Sequence, residues 1–154
     1  LSAEELQQEL TQLSSNMQRF DEYGKQLQVE LETLQSYLID LTRSKQTLEG
    51  LKAEKKADET LIQLGSGVLM RVKPLNKNKV LLNIGAGVVV EKKIGEAIKE
   101  VETKITQAEK RQTEVADQLN QVIGQINAME QRAQAIYRQL QGPSKAQYDP
   151  DLVS

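Results

Sequence analysis

The chain has 154 residues, 20 of them basic and 22 acidic, with 38% hydrophobic and 3% aromatic side chains and no Cys, His or Trp. That length holds one ordinary domain, whose core must be almost wholly aliphatic. A formal charge of -2 excludes the strongly basic surface that gathers nucleic-acid phosphates, and the missing Cys and His remove disulfides, thiolate nucleophiles, the commonest general base and the commonest zinc and iron ligands.

The opening residues LSAEELQQEL form neither a basic leader nor a cleavable apolar segment, and no apolar run approaches the roughly 20 residues that span a bilayer. A soluble, cytoplasmic protein without membrane or nucleic-acid partners is the expectation, and Leu1 in place of Met suggests a trimmed or processed chain. Ser2 with Glu5 reads as a capping box, in which each residue's side chain satisfies the other's amide. Behind it Leu6, Leu10, Leu13, Met17, Phe20, Gly24, Leu27, Leu31, Leu34, Leu38, Leu41, Lys45 and Leu48 recur at alternating spacings of four and three, a heptad seam that predicts a helix over 2–59.

Residues 60–92 break that period. Val68, Met70 and Val72 alternate with Leu69, Arg71 and Lys73, Pro74 to Asn78 supplies turn chemistry, and Val80 to Ile84 leads through Gly85-Ala86-Gly87 into Val88 to Val90. Two hairpins result if Leu61 to Leu64 is the first strand. Gly65, Gly67, Gly85 and Gly87 are read as turn or bulge positions rather than phosphate cradles, since neither Gly-rich stretch carries the Walker lysine or a full dinucleotide fingerprint. Ribbons of two strands rarely persist alone in water, so Val68, Met70, Val72, Val80, Leu82, Ile84, Val88 and Val90 are candidates for packing against another chain. A small self-contained sheet joining two helices is the alternative.

The seam resumes over 93–141 as Ile94, Ile98, Val101, Ile105, Ala108, Gln112, Val115, Leu119, Val122, Ile126, Met129, Ala133, Ile136 and Leu140, and stops at Gly142-Pro143, with a flexible tail over 142–154. At about 1.5 Å per residue the two helices would run roughly 87 Å and 74 Å, so an elongated molecule is expected. The fold class is α+β: one domain over 1–154, a long antiparallel coiled coil with a central two-hairpin β insert. Folding the chain back at the insert aligns Ile62 with Ile94, Lys45 with Gln112 and Gly24 with Ala133, and leaves Leu6 and Leu10 overhanging. Such an overhang is either a frayed or mis-registered end, or a sign that Leu6, Leu10, Leu13, Ile136 and Leu140 form an apolar binding surface.

Charged residues between the seams, such as Glu100 with Lys104 and the group Lys52, Lys55 and Lys56, read as solvated helix faces. Asp149 and Asp151 fall in the QYDPDLVS tail, and no grouping supports a catalytic mechanism, a metal site or a cofactor site. A non-enzymatic protein is expected.

The segment QLGSGVLMRVKPLNKNKVLLNIGAGVVVEKKIGEAIKEVETKI, with its Gly65-Ser66-Gly67 turn, the run Val80 to Gly87 and the run Val90 to Lys93 entering the second helix, resembles the prefoldin alpha class, although Gln63 stands where that pattern commonly has proline. The resemblance implies a hexamer of two alpha-class and four beta-class subunits, in which the strands build an oligomeric β-barrel and the coiled coils project. It further implies an ATP-independent holdase whose helix tips hold nonnative protein and deliver it to a group II chaperonin. On that reading Leu6, Leu10, Leu13, Ile136 and Leu140 contact clients, with Tyr137 as an amphipathic addition. A coiled-coil scaffold, filament spacer or adaptor that holds no client is the alternative.

Overall fold

The computed structural model describes residues 1–53 and 59–142. In chain order these form helix α1 (Ala3–Ala53), strands β1 (Thr60–Gly65), β2 (Val68–Val72), β3 (Lys79–Gly85) and β4 (Val88–Lys93), and helix α2 (Ile94–Gln141). Residues 54–58, through which the heptad argument carries the first helix to 59, lie outside the described residues, and so do Lys55, Lys56 and the tail from Pro143 with Asp149 and Asp151.

Local chemistry sets the helix ends. The Ser2 amide donates to Glu5 Oε2 at 2.7 Å and the Glu5 amide donates to Ser2 Oγ at 3.2 Å, the reciprocal pair of a capping box. Glu4 and Glu5 in the first turn and Lys52 in the last complement the helix dipole. At the other terminus Gly142 takes a φ of +67° and donates its amide to the Gln139 carbonyl at 3.4 Å, a left-handed stop that a residue with a Cβ would adopt at a cost.

The four strands make two separate antiparallel ribbons, β1 with β2 and β3 with β4. Each closes through a two-residue loop, Ser66-Gly67 and Ala86-Gly87, with positive φ at both positions, which is the type I′ geometry whose twist matches a hairpin. One register irregularity precedes each loop, between Gln63 and Gly65 and between Asn83 and Gly85. In the second, the Asn83 side chain accepts the Gly85 amide at 2.9 Å. The repeated glycines thus serve sharp, bulged turns.

The chain divides into two compact units, Leu1–Glu32 with Thr113–Ser154, and Thr33–Gln112. In the first, the beginning of α1 runs antiparallel to the end of α2. Leu6, Leu10, Ala133 and Ile136 form a buried cluster with Leu13 and Leu140 packed against it, while Leu27, Val115 and Val122 are buried further along the seam. A Cβ built on Gly24 would stand 3.4 Å from Val122 and 3.8 Å from Leu119.

This register corrects the alignment drawn from polar interruptions. Gly24 faces Val122 rather than Ala133, and Ala133 packs with Leu6 and Leu10, a slide of about three turns at about 3.6 residues per turn. Leu6 and Leu10 therefore do not overhang. Burying a leucine contributes about 1.5–3 kcal/mol, whereas pairing Lys45 with Gln112 would contribute little. A lysine needs no polar partner in the seam, because its stem packs while its ammonium reaches outward. Within the second unit the Lys45 ammonium does so, 3.4 Å from Glu102 and 3.8 Å from Glu49.

In that second unit Leu41, Val101 and Ala108 are buried with Leu34, Leu38, Leu48 and Ile105 around them. Ile94, Ala97 and Ile98 are buried at the start of α2. The Ile94 amide donates to the Asn78 carbonyl at 2.9 Å, and Lys92 of β4 pairs with Glu100, so the second hairpin is fastened to the helix that follows it.

Candidate functional site

Two regions carry apolar surface or contacts beyond what the helix seams require. One is the end of the first unit, where α1 begins and α2 finishes. The structure brings all six candidates there into one neighbourhood but in different states. Leu6, Leu10 and Ile136 are buried, Ile136 completely; Leu13 and Leu140 are half-buried; Tyr137 is 56% exposed. Leu1, which the seam argument did not single out, is 86% exposed.

Across this end the Arg132 guanidinium donates to Glu9 twice, Nε to Oε1 at 2.6 Å and Nη2 to Oε2 at 2.8 Å. The guanidinium hydrogen bonds hold the Glu9 carboxyl below the usual carboxylate range, and the same bonds raise the Arg132 pKa. The fork escaped sequence reasoning. Its signal was present, since Glu9 and Arg132 each precede a seam residue, Leu10 and Ala133, and opposite charges at such flanking positions of an antiparallel pair meet across the interface. Reading it required the correct register.

The other region is the pair of ribbons in the second unit. β1 and β2 expose Leu61, Ile62, Leu64, Val68, Leu69 and Met70, so both ribbon faces carry open apolar side chains, while Val72 is half-buried. β3 and β4 have a sided arrangement. Val80, Leu82 and Val90 are half-buried, and Val80 and Leu82 line an open groove of about 570 Å³ with Leu41, Leu48, Ala97 and Val101, edged by Arg43 and Lys104. Leu81, Ile84, Val88 and Val89 stay exposed. Of the eight assembly candidates, then, Val68, Met70, Ile84 and Val88 are open and Val72, Val80, Leu82 and Val90 are partly covered within the chain. Leu61, Leu69, Leu81 and Val89 are equally open but were not among the candidates, because alternation assigns one face of a strand to packing and these side chains lie outside the face it selected.

Among the described residues no group of three or more Asp or Glu side chains is arranged to hold a metal ion, and no helix is long and apolar enough to cross a membrane.

Together these features define a class, a coiled-coil subunit whose two helices are joined by a pair of β-hairpins that it covers only in part. The chain belongs to the prefoldin family, whose Prefoldin subunit model matches residues 20–139. It is 35% identical over 133 residues to Prefoldin subunit alpha of Methanoregula boonei, covering 84% of this chain and 86% of that protein. The protein of the same name from Archaeoglobus fulgidus is 38% identical over 116 residues, covering 71% and 85%. Among solved structures, filamentous PFD from Methanocaldococcus jannaschii, determined by cryo-EM, shares the fold with a TM-score of 0.63 at 20% identity, over 75% of this chain and 96% of that one. The family consists of chaperone subunits, and its alpha members assemble with other prefoldin subunits.

Proposed function

We propose that this chain is a subunit of an ATP-independent holdase, acting in the cytoplasm as one of two alpha-class subunits beside four beta-class subunits and passing clients to a group II chaperonin. The observation that carries the reading is the apolar cluster at the end of the first unit, with Tyr137, the neighbour of Ile136 in sequence, and Leu1 exposed in the same unit. Helix ends are where intrahelical hydrogen bonds are fewest and local opening costs least. When the last turns part, Leu6, Leu10 and Ile136 lose burial worth about 1.5–3 kcal/mol each, and an apolar segment of a nonnative chain restores it. Each such contact is weak and reversible. Several subunits acting together would hold a client by avidity and release it without nucleotide.

The exposed ribbon residues support the assembly half of the proposal, since open apolar strands gain cover and edge hydrogen bonds from neighbouring subunits. A scaffold or filament spacer without client holding is the second reading, and the filamentous state of the M. jannaschii protein is the observation on its side. Light scattering of guanidinium-denatured citrate synthase diluted without nucleotide, with and without beta-class partners, separates the two. Suppressed scattering that Tyr137→Ser and Leu13→Ser weaken, with the oligomer intact by native mass measurement, supports the holdase. Assembly with no suppression supports the scaffold.

A further inference from the structure

We infer that the Glu9–Arg132 fork is the latch of the binding end: it holds the Leu6, Leu10, Ala133 and Ile136 cluster closed, and how often it parts sets how much apolar surface the subunit offers to a nonnative chain. This rests on the holdase reading. The geometry is that of the stronger kind of surface ion pair. Both guanidinium bonds are short and parallel, and the two residues sit on different helices, so neither can move away with its own helix without breaking both. Glu9 immediately precedes buried Leu10 and Arg132 immediately precedes buried Ala133, so the helices cannot part far enough to expose the cluster without breaking the fork. The side chains remain 33% and 41% exposed, which leaves the pair accessible to water and salt and therefore able to open and reclose rather than being locked in the core. Glu9 and Arg132 are positioning residues: the client meets the leucines, and the fork controls their availability.

The test uses the full chain, alone and reconstituted with beta-class subunits, as Glu9→Gln, Arg132→Gln and the reversed double variant Glu9→Arg/Arg132→Glu. Amide hydrogen exchange over residues 6–13 and 133–140 should accelerate about two- to five-fold in each single variant, the range an exposed ion pair supports, and return toward the original rate in the reversed pair. Exchange around Val101 and Ala108 should not change. The subunit concentration that halves scattering of denatured citrate synthase should fall by a similar factor in the single variants and recover in the reversed pair. Unchanged exchange at the end in both single variants would overturn the latch. Faster exchange with unchanged capture would overturn its control of binding and leave a purely structural clamp. Failure of every form to suppress scattering, the original chain included, would overturn the holdase reading itself and with it the latch's role, and the exchange data would still report whether the fork closes the end.

Discussion

The helix register can be decided by covalent trapping, because the chain has no cysteine of its own. In Gly24→Cys/Val122→Cys the two sulfurs should meet. A Cβ at position 24 stands 3.4 Å from Val122 Cγ1, which places the two Cβ atoms near the 3.5–4.5 Å that a disulfide spans. In Gly24→Cys/Ala133→Cys, the pair favoured by matching small residues, position 133 lies about three turns beyond position 122, or about 16 Å along the helix, far outside reach. The first bridge would close a loop of about 100 residues, for which chain entropy gives about 4.7 kcal/mol; engineered bridges commonly return less, so about 2–4 kcal/mol is the expected gain. Replacing a mid-helix glycine adds up to about 1 kcal/mol, and the reduced double variant measures that part separately. A faster-running band on a non-reducing gel, lost with reductant, and a matching rise in thermal midpoint check the prediction. Efficient bridging of 24 to 133 instead of 24 to 122 would refute the register and the closed end built on it.

Ile136→Ala empties a fully buried position, and a loss of about 2–4 kcal/mol in local opening free energy is expected, toward the lower end because a helix terminus relaxes more easily than a central core; amide exchange at Leu10 and Ala133 measures it. Leu81→Asp or Val89→Asp should leave the circular-dichroism helix signal of the isolated chain unchanged and abolish oligomer formation by native mass measurement, since both side chains are more than half exposed within the subunit. The same changes at Val80 or Leu82 would also disturb packing on α1 and α2, so they test assembly less cleanly.

What the sequence by itself determined is what depends on near neighbours. Ser2 and Glu5 lie one helical turn apart, so their reciprocal hydrogen bonds follow from spacing alone. The two seams specify helices because a spacing of four and three keeps one stripe apolar wherever the partner is. Gly67 and Gly87 mark the hairpin loops, because glycine takes the positive φ of a type I′ turn freely, whereas Ser66 and Ala86 are held in the left-handed region at a cost that the hairpin pairing offsets. Tertiary structure decided the register, and for a physical reason: a heptad seam is periodic, so a slide of several turns still sets apolar against apolar, and the alignment is seen in the burial of Leu6 and Leu10 against Ala133 and Ile136 and in Gly24 facing Val122. Everything that depends on that choice stayed hidden with it, including the closed end and the Glu9–Arg132 fork. The same holds for the second ribbon, where strands apolar on both faces leave it to the tertiary structure to decide that Val80 and Leu82 are partly covered and Leu81 is 74% exposed.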